Sequence, residues 1–232
     1  MTFGDTPMEH LYTNATHPYF RAPQIQIAMP FRFWPKRQAY PVEQQLAWGV
    51  DPTQANGVAD AVLMTTRGGN VYDRTFMDSF LRPGLDAKAW HARDNSPARG
   101  VVPTGEGEMS FYAVTHYTMP DCFLLRYTLR TDGFASVHAD YQEGTLTTRE
   151  FIYPGLPLSV NFSTSAAGGF KVEVLGQKGA VLASSADTIG DAIDRPIVWT
   201  SGDLARWKGR PVRLRFTLKD ADLYSFRFGE PQ

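Results

Sequence analysis

Apolar and polar residues alternate along much of this chain, most regularly in its C-terminal half. In LSVNFST the apolar residues Leu158, Val160 and Phe162 occupy every second position, and VRLRFTL at 212–218 repeats the pattern. A period of two is typical of antiparallel strands with one buried face. The sequence therefore predicts an all-β protein, with strands at residues 24–33, 60–67, 108–117, 123–130, 133–140, 147–153, 156–164, 169–176, 180–184 and 211–218.

Helical periodicity is weak. Only VEQQLAW at 42–48 and SGDLARW at 201–207 show it, and in the second Ser201 or Asp203 is a suitable N-cap. Turn residues separate the predicted strands, for example the pair Gly168-Gly169 and the segment 176–179. Strands at this spacing are typical of sandwiches and barrels.

The loops divide the chain into two parts. Long loops that contain proline and tryptophan, at 33–57 and 82–108, interrupt the N-terminal strands, whereas the later loops are short. Long loops on a β scaffold are usually functional. We therefore predict one domain at residues 1–122 and a second at 123–232.

Composition narrows the range of functions. The net charge is −1 and the basic residues are scattered, so no nucleic-acid-binding surface is expected. No apolar run is long enough to span a membrane. Cys122 is the single cysteine, which excludes an internal disulfide. No signal peptide is visible in MTFGDTPMEH, which leaves the location open between the bacterial cytoplasm and export after trimming.

Several segments resemble one family of sequences. They are HLYTNATHPYFRAPQIQIAMPFRF, DAVLMTTRGGNVYDRTFMDSFLRPGLD, GEGEMSFYAVTHY, LRYTLRTDGFASVHA and RLRFTLKDADLYSFRF. Together they resemble the C-terminal half of bacterial glycoside hydrolase-like five-bladed β-propeller proteins, which are related to the fold of glycoside hydrolase families 32 and 43. The resemblance implies propeller-blade-like antiparallel sheets in residues 1–122, followed by a jelly-roll-like β-sandwich. It also implies a carbohydrate-active protein, a glycoside hydrolase that acts on a plant or microbial polysaccharide or oligosaccharide.

The chain departs from that family in two respects. The first blade, which supplies the nucleophilic or basic Asp of the fold, has no counterpart here, and the Arg-Asp-Pro and Glu-Cys motifs are absent. In addition, TTRGGNVYD resembles a degraded sialidase-type Asp-box hairpin, with Gly68 near the usual Asp and Tyr72 near the usual Trp. A non-catalytic carbohydrate-binding module and a structural fragment of a larger propeller therefore remain alternatives.

Glycoside hydrolysis requires two carboxyl groups about 5 to 10 Å apart, one of them kept protonated. Glu108 opens the predicted strand EMSFYAVTHY after the glycine-rich TGEG, and we predict it as the general acid. Asp60, at the start of DAVLMTT, is predicted as the base or nucleophile, and Glu9 is the alternative to it.

Sugar binding requires aromatic faces and side chains that bond to pairs of hydroxyl groups. The residues predicted for this role lie beside the loops and the hairpin: Tyr19, Arg21, Arg67, Asp73, Trp90 and Arg93.

No cofactor is expected. Asp5, Glu9, His10 and His17 match no known metal-ligand spacing, so no metal site is predicted there. A structural calcium ion bound by Asp220 and Asp222 is the exception that the sequence leaves open. Carbohydrate is the expected partner, and exposed sheet edges suggest a possible homodimer.

Overall fold

The structure is a computed structural model that describes residues 8–229. The predicted all-β class is confirmed. The described residues contain one α-helix, α1 (Val42–Ala47), and short 3-10 helices at Ala87–Ala89, Gln177–Gly179 and Ala205–Trp207. The strands are β1 (His10–Tyr12), β2 (His17–Tyr19), β3 (Ala22–Ala28), β4 (Phe31–Trp34), β5 (Val58–Ala61), β6 (Met64–Thr66), β7 (Ser96–Pro97), β8 (Val102–Gly105), β9 (Glu108–Thr115), β10 (Phe123–Arg130), β11 (Val137–Ala139), β12 (Gly144–Thr147), β13 (Phe151–Ile152), β14 (Leu158–Leu175), β15 (Val181–Ser185), β16 (Asp191–Pro196), β17 (Trp199–Gly202) and β18 (Pro211–Phe228).

The chain forms two compact units, Met1–Thr128 and Leu129–Gln232. Their border lies inside β10, whereas the sequence analysis placed the domain boundary after residue 122. None of the helices among residues 8–229 is long and apolar enough to cross a membrane.

Unit 1 contains several small antiparallel sheets. Their strand orders are β1-β4-β5, β2-β3-β6 and β10-β9-β7, and β8 also pairs with β9. Buried apolar side chains lie between these sheets, among them Ala28, Val62 and Met64.

Two strands predicted as continuous are broken in the structure. The predicted strand 24–33 is divided into β3 and β4, which belong to different sheets, and 60–67 is divided into β5 and β6 in the same way. Pro30 lies at the first break, where it cannot donate a backbone hydrogen bond to a sheet. Its carbonyl instead accepts from the amide of Val62 at the second break, at 3.1 Å. The two breaks therefore lie side by side, and at both of them the chain crosses between the sheet of β3 and β6 and the sheet of β4 and β5.

The two helix predictions have different outcomes. The prediction at 42–48 is confirmed by α1, although Pro41 at its N-terminus makes no side-chain cap. The prediction at 201–207 was wrong, because Ser201 and Gly202 extend β17 and only Ala205–Trp207 forms a 3-10 turn.

Unit 2 contains one eight-stranded sheet in the order β11-β18-β14-β15-β17. The strands β12 and β13 also pair with β18, and β16 pairs with β14. The predicted alternation is confirmed here, since Phe162, Phe216 and Leu214 are fully buried in the core of this unit.

A bulge bends the central β14–β18 ladder. Phe162 and Phe170 belong to the same strand, and eight residues of straight strand would separate them by about 26 Å. Their ring centroids are only 4.4 Å apart. The ladder changes register between Thr164 and Gly169, so the strand folds back there and both halves close on one core. The Gly168-Gly169 pair thus lies at a bend within one strand, and not at a turn between two separate strands as the sequence predicted.

Gly168 is required at this bend. A Cβ atom at this position would lie 2.6 Å from the carbonyl oxygen of Lys219 and would also meet that of Asp220. Asp220 itself has a left-handed backbone with φ of 43°. The close approach of two backbones leaves no room for a side chain.

We expect Gly168→Ala to lower the free energy of unfolding by about 1–3 kcal/mol, the usual cost of forcing extra atoms into a packed site. Urea unfolding followed by circular dichroism measures this. Gly144→Ala in the same unit is the matched control, because its new Cβ would make an ordinary 3.4 Å contact with Ala139. Equal losses in the two variants would contradict the close approach at Gly168.

Candidate functional site

A pocket of about 560 Å³ lies within unit 1. Its size falls in the range of small-molecule sites. It is lined by residues from β4, β5 and the two long loops: Arg32, Trp34, Arg37, Val58, Ala59, Asp60, Ser79, Arg82, Pro83, Gly84, Leu85 and Trp90.

An ion pair between neighbouring strands lies in this pocket. Arg32 of β4 is directly opposite Asp60 of β5. The guanidinium donates to both oxygens of Asp60, from Nε at 2.9 Å and from Nη2 at 2.6 Å. Such two-point pairing is among the strongest polar contacts in proteins. It fixes the direction of both side chains.

Glu9 completes the network from the residue before β1. Arg32 Nη1 donates to Glu9 Oε1 at 3.1 Å, and Arg74 Nη1 donates to the other carboxylate oxygen. The Glu9 side chain is 4% exposed. The hydrogen bond from Arg32 to Asp60 is the main factor that raises the pKa of Arg32, with burial opposing it and Glu9 adding to it, so Arg32 stays charged.

Two tryptophans contribute aromatic surface to the pocket. Trp34 lies two residues after Arg32 on the same face of β4, and the Arg32 guanidinium is 5.8 Å from its ring centroid. Trp90 follows the 3-10 helix Ala87–Ala89, and its indole nitrogen donates to the carbonyl of Gly84 at 2.9 Å. Both rings are half-buried. They therefore keep part of their faces open to a ligand.

The segment that carries Trp90 is held at both ends. Asp86 caps the 3-10 helix by accepting from the Lys88 amide at 3.0 Å, and its second oxygen lies 2.7 Å from His116 Nε2. Beyond Trp90, the buried Asn95 donates to the carbonyls of Ala59 and Ala89 at 3.1 and 3.0 Å. The first of these bonds connects the segment to a pocket-lining residue of β5.

Strained backbone follows Trp90. Arg93 and Asn95 have φ values of 62° and 59°, in the left-handed region that non-glycine residues seldom adopt. Strain of this kind persists only where surrounding contacts enforce it, and it concentrates at functional sites. Here the two bonds of Asn95 enforce it.

A buried acid and a buried histidine lie in the same segment. His91 and Asp94 are both inaccessible to solvent, with His91 Nε2 3.8 Å from Asp94 Oδ2. Burial raises the pKa of Asp94 to about 6, although hydrogen bonds from Tyr117, His116 and Thr115 oppose it. Burial also lowers the pKa of His91 to about 4. Neither side chain lines the pocket.

The structure separates the three predicted catalytic residues. Asp60 lines the pocket, and Glu9, which is not a lining residue, bonds to the same guanidinium. Glu108 is not a lining residue. It opens β9 after the β8–β9 hairpin turn, half-exposed, and it accepts from Arg126 and from the Thr104 hydroxyl, the latter at 2.7 Å. Its role as a general acid stays a prediction.

Among the predicted sugar-binding residues, Trp90 alone lines the pocket. Tyr19 is a core residue, 5% exposed, whose hydroxyl donates to Met109 Sδ at 3.5 Å, so its ring offers no face to a sugar. Arg21 lies half-exposed between β2 and β3. Arg67 and Arg93 are exposed in loops.

The hairpin that TTRGGNVYD resembles, at residues 65–73, forms only in part. Beyond β6, one bridge joins Thr65 to Asp73, and no second strand follows in this described segment. The Asp73 carboxylate accepts from the amide and hydroxyl of Thr75, and Tyr72 reaches Thr16 instead, with their hydroxyl oxygens 2.8 Å apart. These contacts are local ones that shape the loop.

The two acids considered as calcium ligands, Asp220 and Asp222, accept hydrogen bonds from serine side chains. Ser165 donates to Asp220 at 2.5 Å, and Ser136 donates to Asp222 at 2.6 Å. Residues 8–229 contain no cluster of three or more metal-ligating side chains. Asp5 lies outside the described residues. The structural calcium ion stays a prediction.

Sequence reasoning missed Arg32, Trp34, Arg37 and Arg82. Arg32 and Trp34 alternate with Phe31 and Phe33 in FRFW, which marks them as one face of a strand. The identity of the facing residue, Asp60, depends on the strand register, which the sequence does not show. Comparison with models of known protein families, with characterised proteins and with solved structures gives no match, so the pocket is interpreted from its own geometry.

The buried residues His91 and Asp94 make opposite contributions to the pH dependence of stability between about pH 4 and pH 6. In this interval folded Asp94 keeps a proton that the unfolded chain, titrating near 3.8, has released, so its contribution grows as the pH falls. Folded His91 stays neutral while the unfolded side chain, titrating near 6.5, takes up a proton, so its contribution shrinks as the pH falls.

We therefore expect Asp94→Asn to lose stability more steeply than the wild type as the pH falls from 6.5 to 4, by up to about 1.4 kcal/mol per pH unit. His91→Gln should show the opposite change in slope. Urea unfolding across this pH range measures both. Curves parallel to that of the wild type in both variants would contradict the opposed titration.

Proposed function

We propose that the protein is a carbohydrate-binding module that holds a saccharide in the pocket between Trp34 and Trp90. The observation that carries this proposal is the arrangement of two half-buried indole rings around the rigid Arg32–Asp60 pair. The C–H-rich face of a sugar ring packs on an indole, and ordered polar groups beside it bond to the hydroxyl groups.

The carboxylates of Asp60 and Glu9 are already paired with arginines, which favours ligand binding over hydrolysis as the function. Both oxygens of Asp60 are engaged by Arg32, and both oxygens of Glu9 are engaged by Arg32 and Arg74. A glycoside hydrolase needs one carboxyl group that is protonated and faces the substrate. Asp94, the acid whose pKa burial raises to about 6, is closed off from solvent.

Glycoside hydrolysis is the second candidate function. It is favoured by the convergence of Glu9 and Asp60 on one guanidinium, because both predicted catalytic carboxylates contact the same side chain.

We interpret the small sheets of unit 1 as propeller-blade-like and unit 2 as a jelly-roll-like sandwich. The short antiparallel sheets of unit 1 support the first assignment, and the ladder that bends over one core supports the second. The fragment hypothesis, with pairing of two chains through sheet edges, is supported by β17, which has β15 as its one neighbour in the sheet order of the described chain. A monomeric mass by light scattering would contradict that pairing.

We expect Trp90→Ala to weaken binding to oligosaccharides about five- to thirtyfold, because truncation of an aromatic anchor costs about 1–2 kcal/mol. A panel of plant and microbial oligosaccharides, measured by isothermal titration calorimetry, identifies the ligand and gives the affinity.

Trp48→Ala is the matched control, since Trp48 is also a half-buried indole of unit 1 but lies outside the pocket. Equal affinities of Trp90→Ala and the wild type would overturn the site. Release of new reducing ends by the wild type, lost in Asp60→Asn, would decide for hydrolysis.

A further inference from the structure

Among residues 8–229, two arginines at the pocket have no side-chain partner. Arg37 and Arg82 line it and are exposed. Within residues 8–229 neither side chain forms an ion pair or a hydrogen bond, in contrast to Arg32, whose guanidinium is occupied by Asp60 and Glu9. Their donor groups are therefore available to a ligand.

Backbone contacts hold both arginines at the pocket. Arg37 ends the turn after β4, where its amide donates to the carbonyl of Trp34 at 3.3 Å. Arg82 follows Leu81, which exchanges two backbone hydrogen bonds with Ala61 of β5 at 3.0 and 3.1 Å. Each guanidinium thus extends from a fixed point beside the strands that carry Trp34 and Asp60.

The charge of the pocket is unbalanced. Asp60 is the one carboxylate among the lining residues, and Arg32 neutralises it. The neighbouring Asp86 is engaged by His116. Within the described part of the chain, no carboxylate pairs with Arg37 or Arg82, although the chain as a whole has a net charge of −1. An excess of positive charge beside aromatic faces favours an anionic ligand.

We propose that the pocket recognises an acidic saccharide, with a sugar ring packed on the tryptophans and its oxyanion substituent bound by Arg37 and Arg82. The planar guanidinium matches a carboxylate or a sulfate by two-point hydrogen bonding. Both substituents share this chemistry, so uronates and sulfated sugars are the two sources of the ligand. This inference rests on the proposed function, and it adds the ligand class.

The test uses three oligosaccharides with the same backbone and length, which are neutral, uronate-containing or sulfated. Calorimetry should show at least about tenfold tighter binding of one acidic ligand than of the neutral one to the wild-type protein. The double variant Arg37→Gln/Arg82→Gln should lose this preference and keep the affinity for the neutral ligand. Binding of the acidic ligand should also weaken with added salt.

Arg67→Gln is the matched control, because Arg67 is an exposed arginine of unit 1 outside the pocket. It should keep the wild-type preference. The better ligand among the two acidic ones identifies the source of the oxyanion. Equal wild-type affinity for neutral and acidic ligands would overturn this inference and leave the proposed function standing. No binding of any saccharide would overturn both.

Discussion

The guanidinium of Arg32 is the contact on which the pocket depends. It joins the residue before β1 to β4 and β5, because it bonds to Glu9 and Asp60 and also to the carbonyl of Met77 at 3.1 Å. The group is 12% exposed, so its charge interacts through protein more than through water. Removing one partner would leave a buried charge unpaired, which typically costs about 3–5 kcal/mol.

The positions of Trp34 and Trp90 follow from this contact and from the chain around it. Trp34 lies on the same face of β4 as Arg32, so fixing the strand fixes the indole. Trp90 belongs to a segment that Asn95 attaches to Ala59 of β5. The left-handed backbone at Arg93 and Asn95 and the burial of His91 and Asp94 are energetically unfavourable. The hydrogen bonds of Asn95 hold the segment in this conformation despite that cost. The pocket is therefore formed without a ligand, and in the proposed binding function this preorganisation reduces the entropic cost of binding.

The sequence predicted the elements whose signals are local. The alternation in β14 and β18 predicted the buried face of unit 2, and the Gly168-Gly169 pair was predicted as a turn. Gly168-Gly169 was predicted as a turn between two strands, because a pair of glycines is typical of turns, and only the pairing of both halves with β18 shows that it is a bend within one strand.

The candidate site depended on long-range register, which the sequence does not contain. Glu108 was chosen for its place after TGEG, but those glycines serve the turn between β8 and β9. Asp60 and Trp90 were found as a carboxylate and an aromatic in suitable segments. Their relation to Arg32, and the open guanidinium groups of Arg37 and Arg82, required the strands to be paired. Pro30 was the local signal that could have divided the predicted strand 24–33.

The most direct test of a ligand site between Trp34 and Trp90 is an NMR titration of the indole N–H signals. The chain has five tryptophans, so each signal can be assigned by single Trp→Phe substitutions. On addition of the oligosaccharide that binds most tightly, the account predicts that the signals of Trp34 and Trp90 shift and saturate together, while those of Trp199 and Trp207 in unit 2 stay unchanged. Shifts confined to Trp199 and Trp207 would contradict the assignment of the site to this pocket.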